Sequence, residues 1–217
     1  MKQIAIDGPA GAGKSTIAKI LAERLDYMYV DTGAMYRTIG LACLNAGIDL
    51  EDEEAVGKVC EEANIFIRYE NGVQIMYLDG EDVSKEIRTE EVSKAASDTS
   101  KFPKVRERLV QMQRDLAEEY NVIMDGRDIG TCVLPNATLK IYLTASVEVR
   151  AQRRFKEYTE KGIECTLEEI RKDIEQRDYN DMHREISPLC KAEDAIEVDT
   201  SDLNIEEVVA AVIALWK

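Results

Sequence analysis

Histidine is almost missing from this chain: a single residue, His183, in 217. A multi-histidine metal site is therefore excluded, and His183 reads as a surface residue rather than a ligand or base. Cysteine is little better represented as a chemical resource. The five thiols fall at 43, 60, 132, 165 and 190, an odd number with no CxxC pair. That spacing argues against a disulfide framework or zinc site and for buried free thiols in a reducing compartment. No window approaches 18 consecutive apolar residues, so no membrane span is expected. The N-terminus runs directly into IAIDG, with no basic stretch followed by an apolar one. No signal peptide is expected, and the cytoplasm is the expected location. Positive charge is scarce as well: 28 Lys and Arg against 43 Asp and Glu, a formal net charge of −15. Such a surface repels nucleic-acid backbones, so neither DNA nor RNA is an expected partner. Small anionic ligands remain open if the arginines are locally concentrated.

Repeats, low-complexity tracts and Pro/Gly-rich linkers are also missing. What is there is a 45% apolar chain, enough for a core. Its segments alternate between strand and helix, the pattern of a parallel sheet with helices on both faces. Strands are expected at 3–7, 27–30, 122–125, 139–143 and 195–199. Helices are expected at 14–25, 33–46, 102–119, 146–161, 166–184 and 204–216. One stretch breaks the alternation. In 64–78, Ile65, Ile67 and Tyr69, then Val73, Ile75 and Tyr77, recur with period two around Asn71-Gly72, a strong hairpin signal. Residues 47–88 thus read as an insertion, opened by an EDEE run at 51–54 that suits a solvated helix start. The rest divides into a core (1–46, 89–149 and 185–217) and a lid region (150–184).

Residues 8–15 read GPAGAGKS, matching G-x-x-x-x-G-K-[ST] between an expected strand and an expected helix. In that context Gly8, Pro9, Ala10, Gly11, Ala12, Gly13, Lys14, Ser15 and Thr16 form a cradle for the phosphates of ATP. Backbone N–H groups and the helix N-terminus face the anion. Lys14 can reach the β- and γ-phosphates, and the Ser15 hydroxyl can ligate Mg²⁺. A Rossmann fingerprint fails because Thr16 occupies its third glycine position. No Asn/Thr-Lys-x-Asp guanine-reading motif occurs.

The arginines then fall in informative places. DTGAMYR at 31–37 follows the second strand, with Thr32 expected to cap the coming helix and Arg37 within it. DGRDIGT at 125–131 follows the strand VIMD. Asp125 stands in a Walker-B position there, and Arg127 and Asp128 project at the strand end, where open α/β sheets bind ligands. In helix 166–184 the stripe Leu167, Ile170, Ile174 continues as Arg177, Asp181, Arg184. An inward Arg-Asp-Arg face needs an external anion; a helix end that projects beyond the core would instead leave an exposed Arg–Asp pair of little worth. In the preceding helix the apolar stripe is Val147, Ala151, Phe155 and Tyr158, so Arg150 and Arg154 face away from it. Blandly read, they are solvated. Functionally read, Arg150, Arg153 and Arg154 belong to a mobile lid that closes over the transferring phosphates.

These motifs, with GEDVSKEIRTEEV and FPKVRERL in their order, resemble the bacterial cytidylate kinases of the nucleoside monophosphate kinase group, over essentially the whole chain. The resemblance implies a P-loop NTPase-type five-stranded parallel sheet, a short helical lid and a monophosphate-binding insertion. It implies γ-phosphoryl transfer from ATP to CMP, and to dCMP, with Mg²⁺. Carried over, Arg37, Arg127 and Arg184 hold the acceptor phosphate. Ser97, Arg106 and Asp128 read cytosine with Thr32 nearby, and Arg177 and Asp181 contact the ribose. Lys14, Arg127, Arg154 and Arg184 are the expected catalytic set, and a monomer is expected. The residues alone reach only a nucleotide or other phosphorylated acceptor. A hydroxyl acceptor of the shikimate type, UMP in place of CMP, and a non-catalytic ATP-binding switch all stay open.

Overall fold

The computed structural model describes residues 1–216. In chain order the elements are β1 (Gln3–Asp7), α1 (Lys14–Leu25), β2 (Met28–Asp31), α2 (Thr32–Ala46), α3 (Glu53–Glu62), β3 (Ile65–Glu70), β4 (Val73–Leu78), β5 (Glu81–Asp82), α4 (Glu90–Thr99), α5 (Pro103–Glu119), β6 (Val122–Gly126), β7 (Leu139–Thr144), α6 (Val147–Glu160), α7 (Leu167–His183), β8 (Ile196–Asp199) and α8 (Ile205–Leu215). The main sheet is five-stranded and parallel, in the order β2-β6-β1-β7-β8. The expected strands and helices all form, with ends shifted by a residue or two. The chain divides into two compact units. One is Met28–Val122 with Met1, and the other joins Lys2–Tyr27 to the chain from Ile123 onward.

In the second unit, Ile4 pairs with Leu139 and Ile141 with Ile196. β6 is buried along its whole length, and β1 from Ile4 onward, because an apolar run can be covered on both faces. Ile4, Ile6, Ile123, Met124 and Ile141 are fully buried, each contributing about 1.5–3 kcal/mol relative to exposure. β8 is different: IEVD is largely exposed, as its alternating charge permits. α1 packs with α8, and α6 with α7. The α6–α7 pair has its own small core of Ala151, Ile170 and Ile174, flanked by Val147, Tyr158 and Cys165. Two members of the expected stripes stand outside it. Leu167 and Phe155 are 42% and 37% exposed. Leu167 is the first residue of α7.

In the first unit, α2 packs with α3, α4, α5 and β4. β3 and β4 form the expected hairpin, with Glu70 opposite Val73 and Ile65 opposite Leu78. Asn71 and Gly72 take φ of 51° and 76°, the positive pair that a two-residue type I′ turn requires. Phe66 and Tyr77 stack across it at 4.7 Å. The acidic run does open a helix: Asp52 caps α3 by accepting from Glu54 and Ala55 N–H. α4 and a π-helical turn at Ile129–Val133 were outside the sequence expectation. Among the described residues no helix is long and apolar enough to cross a membrane. None of the five cysteines is in a disulfide; Cys43 and Cys60 are buried and Cys190 is exposed.

Candidate active site

The phosphate loop joins β1 to α1. Gly8 has φ 148°, and a Cβ there would lie 1.9 Å from the Leu143 carbonyl oxygen. Only glycine lets the loop lie so close to β7. Lys14 opens α1, is 5% exposed, and donates from Nζ to the Pro9 carbonyl at 2.7 Å. Burial, and then the nearby Arg127 guanidinium, pull its ammonium down to about 7, against the pull of Asp125, Asp181 and Asp7. An anion in the loop restores the charged form, so the buried lysine is poised for a polyphosphate.

Ser15 Oγ donates to Asp125 Oδ2 at 2.8 Å. A hydroxyl and a carboxylate at a strand end are hard oxygen donors that fit Mg²⁺. That ion usually takes one or two protein oxygens and completes its shell with phosphate and water. Among the described residues no group of three or more His, Cys, Asp or Glu is placed to hold a metal ion. Asp7, just before the loop, accepts from the Ile129 and Gly130 N–H groups at 2.8 and 2.7 Å. It thereby caps the π-helical turn Ile129–Val133. Burial outweighs those hydrogen bonds and pushes its carboxyl up to about 6.

A rim of arginines and carboxylates continues from there in the same unit. Arg127 Nε donates to Asp181 Oδ2 at 2.7 Å, and Arg184 Nη2 reaches Asp128 Oδ1 at 3.4 Å. Burial alone would raise the Asp181 carboxyl. The guanidiniums of Arg127, Arg177 and Arg184 outweigh it and hold the group below its ordinary value. The buried face of α7 is Ile170, Ile174, Asp178 and Asp181, so it does change from apolar to ionic, but Arg177 and Arg184 of the expected Arg-Asp-Arg stripe are only half-buried. Asp178, absent from the sequence argument, belongs to that buried face.

The α6 arginines differ from expectation. Arg150 is 4% exposed rather than solvated. It donates to Ala145 O, Ala10 O and Asp178 Oδ2 at 3.0, 3.0 and 2.6 Å. The periodicity of α6 alone could not supply Asp178, which comes from another helix. Arg154 Nε donates to Tyr158 Oη at 3.0 Å along its own helix. Arg153 bonds Thr200 through Oγ1 and O at 3.1 and 2.7 Å. Arg153 also lines a cavity of about 600 Å³ bounded by Ala12, Ile17, Leu203, Ile205 and Val208. This slot beside the phosphate loop was not expected. Its walls are separated by almost the whole chain, so no local motif announces it.

The first unit carries the remaining candidates. Asp31, not Thr32, caps α2: its Oδ1 accepts from Ala34 N–H at 2.8 Å. Thr32 lies buried in the first turn. Asp31 Oδ2 also binds Arg37 Nη2 at 3.2 Å and Arg88 Nη1 at 3.0 Å. Despite burial, these two guanidiniums and the Ala34 N–H hold the Asp31 carboxyl below its ordinary value. Arg88, from the EIRT segment, was not singled out in the sequence. The structure brings it to Arg37 through the shared carboxylate. Ser97 is half-buried on α4. Arg106 is 4% exposed on α5, with its guanidinium 5.8 Å from the Tyr36 ring centre. Burial therefore sets Lys14, Asp128, Asp181, Thr32 and Arg106 apart from ordinary surface charges and caps.

Residues 4–217 match the family model for cytidylate kinase. The chain is 55% identical over 213 residues to the cytidylate kinase of Caldicellulosiruptor saccharolyticus, covering 98% of this chain and 94% of that one. It is 52% identical over 212 residues to the cytidylate kinase of Lactobacillus johnsonii, covering 98% and 92%. Among solved structures, a shikimate kinase from Bacteroides thetaiotaomicron covers 99% of this chain and 97% of its own, with a TM-score of 0.51 at 15% identity. A gluconokinase from Sinorhizobium meliloti covers 98% and 90%, with a TM-score of 0.50 at 14% identity. Those two likenesses concern the fold alone. Taken with the phosphate loop, the Ser15–Asp125 hydrogen bond and the arginine rim, the family match leads to one conclusion: this chain belongs to the cytidylate kinase family.

Proposed function

We propose that this chain catalyses the ATP-dependent phosphorylation of CMP to CDP, and of dCMP to dCDP, with the residue roles that follow. The observation that carries the reading is the joint presence, in one unit, of the Lys14 cradle, the Ser15–Asp125 oxygen pair and the Arg127–Asp181 and Arg184–Asp128 pairs. The loop 8–16 binds the ATP phosphates, and the cavity beside Ala12, Ile17 and Arg153 takes a planar base. Ser15, with Asp125, would hold Mg²⁺, whose divalent charge would offset that of the ATP phosphates. Arg37, Arg127 and Arg184 grip the acceptor phosphate. Ser97, Arg106 and Asp128 read cytosine, with Thr32 beside them, and Arg177 and Asp181 contact the ribose. Residues 47–88 serve as the monophosphate-binding insertion and 150–184 as a lid, in a cytoplasmic monomer.

No general base is required. The second pKa of the acceptor phosphate is about 6, so it is largely dianionic at neutral pH. The barrier is electrostatic: two polyanions must meet in line. Lys14 and the guanidiniums of Arg127, Arg154 and Arg184 offset that repulsion and stabilise the charge spread over the transferring group. Exclusion of water by the lid suppresses hydrolysis.

A coupled ADP-release assay against CMP, dCMP, UMP and shikimate tests the reading. CMP and dCMP are expected to turn over, UMP more slowly, and shikimate not at all. Arg184→Lys keeps the charge and loses the fork that grips a phosphate bidentately. It is expected to raise KM for CMP, lower kcat, and leave KM for ATP nearly unchanged. Wild-type kinetics with CMP in that variant would remove α7 from the acceptor site.

A further inference from the structure

Within the lid segment, Arg150 has no assigned contact with either nucleotide, yet its guanidinium is buried and spans three elements. Nε donates to Ala145 O just past β7, Nη1 to Ala10 O in the phosphate loop, and Nη2 to Asp178 Oδ2 on α7. The stem packs on the loop as well, since a Cβ on Gly11 would sit 3.3 Å from Arg150 Cβ. Asp178 is 8% exposed, and its Oδ1 accepts no hydrogen bond among the described residues. The carboxylate therefore holds this guanidinium through one oxygen.

Stability is a poor explanation for such a pair. Buried ion pairs are often no more stabilising than well-packed apolar side chains of similar volume. A planar guanidinium can, however, fix acceptors from three directions at once, which an apolar side chain cannot. The placement of those acceptors is informative. Ala10 lies within the loop that cradles the donor phosphates. Asp178 follows Arg177 and precedes Asp181 on α7, and Arg184 directly follows that helix.

We propose that Arg150 is a positioning residue that locks the phosphate loop to α7, so that donor phosphates in the loop tighten acceptor binding on α7. The proposal rests on the reading of Arg177, Asp181 and Arg184 as acceptor contacts. Phosphate binding by the loop N–H groups fixes the peptide planes, including the one that carries Ala10 O. Arg150 passes that orientation to Asp178, and thereby to the α7 side chains. Coupling of this kind is reciprocal, commonly about 5–150-fold in affinity.

Calorimetric titration of CMP, with and without saturating β,γ-imido ATP and Mg²⁺, measures the coupling. In the wild type the Kd for CMP is expected to fall at least about fivefold when the analogue is present. Arg150→Met is expected to bind each ligand alone while that ratio drops below about two. Asp178→Asn keeps size and an acceptor oxygen, and Arg150→Lys keeps charge without the fork. Both are expected to fall below the wild-type ratio, and they decide the matter should Arg150→Met not fold. A purely structural pair predicts lower melting temperatures with the ratio unchanged. The proposal is overturned if the folded variants keep the wild-type ratio, or if the wild type shows no tightening. Failure of the underlying reading looks different: no CDP from the wild type, or no effect of Arg184→Lys on CMP.

Discussion

Replacing Asp181 with alanine removes the carboxylate that takes the Arg127 bond at 2.7 Å and faces the charges of Arg177 and Arg184. The pair is largely buried, with side-chain exposures of 19% for Arg127 and 11% for Asp181. Breaking a buried pair by deleting one partner costs about 3–5 kcal/mol. Partial exposure favours the lower end, about 3 kcal/mol, or a melting temperature lower by roughly 6–12 °C in a chain of this length. The loss has a pH signature. The folded Asp181 carboxyl titrates below its ordinary 3.8, so its contribution is present above that value and fades as pH falls through the folded one. Wild type and variant should therefore differ fully at pH 7 and converge in acid. Lys14 should feel the change too, because Asp181 is among the groups that keep its ammonium charged. Kinetically, the preference for CMP over dCMP should narrow, since a carboxylate accepting from ribose hydroxyls is the group that tells them apart. Thermal melts from pH 3 to 8, with kcat/KM for CMP and dCMP, read all of this. A variant that melts with the wild type at pH 7 and keeps its CMP:dCMP ratio would refute both the ion-pair argument and the ribose assignment.

Lys14→Ala is expected to lose roughly 10²-fold or more in turnover while melting cooperatively; near-normal turnover in a folded variant would sink the phosphate-loop assignment. Asp128→Asn is expected to narrow the preference for CMP over UMP, because UMP presents a carbonyl where CMP presents an amine; an unchanged ratio of kcat/KM would free Asp128 of that role. Gly8→Ala must move either the loop or β7, given the 1.9 Å approach to Leu143 O. A drop of several kcal/mol in denaturant unfolding is expected, with ATP affinity lost alongside, and wild-type behaviour would contradict the geometry.

Local chemistry explains what could be read in advance. Asn71-Gly72 announces its hairpin because few other residue pairs accept two positive φ angles. The strand before GPAGAGKS and the helix after it are each sustained by their own apolar residues. What the local sequence does not show depends on partners distant along the chain. Arg150 lies off the apolar stripe of α6, and its burial is explained by Asp178, 28 residues on, together with the Ala10 and Ala145 carbonyls. Asp7 caps a π-helical turn across 122 residues. That turn has no periodicity of its own to betray it. The α2 cap was misassigned by one residue because Asp31 and Thr32 are both good caps, and only Asp31 has the extended backbone of one. α4 is short and rich in alanine and serine, and its helical face becomes visible only once α2 covers it. Arg88 looked like any other arginine until the fold set it on the Asp31 carboxylate.

The unequal burial of the five thiols gives this chain a built-in attachment point. Burial pushes the Cys43 thiol up to about 11 and raises that of Cys60 too, leaving both slow toward alkylating reagents at neutral pH. Cys190, by contrast, is exposed. It directly follows Leu189, whose N–H donates to the Asp181 carbonyl at 2.8 Å. A maleimide dye used in limiting amount should therefore attach at Cys190 ahead of the buried pair, one residue from a backbone bond to α7. Its fluorescence would report nucleotide binding in the unmutated chain.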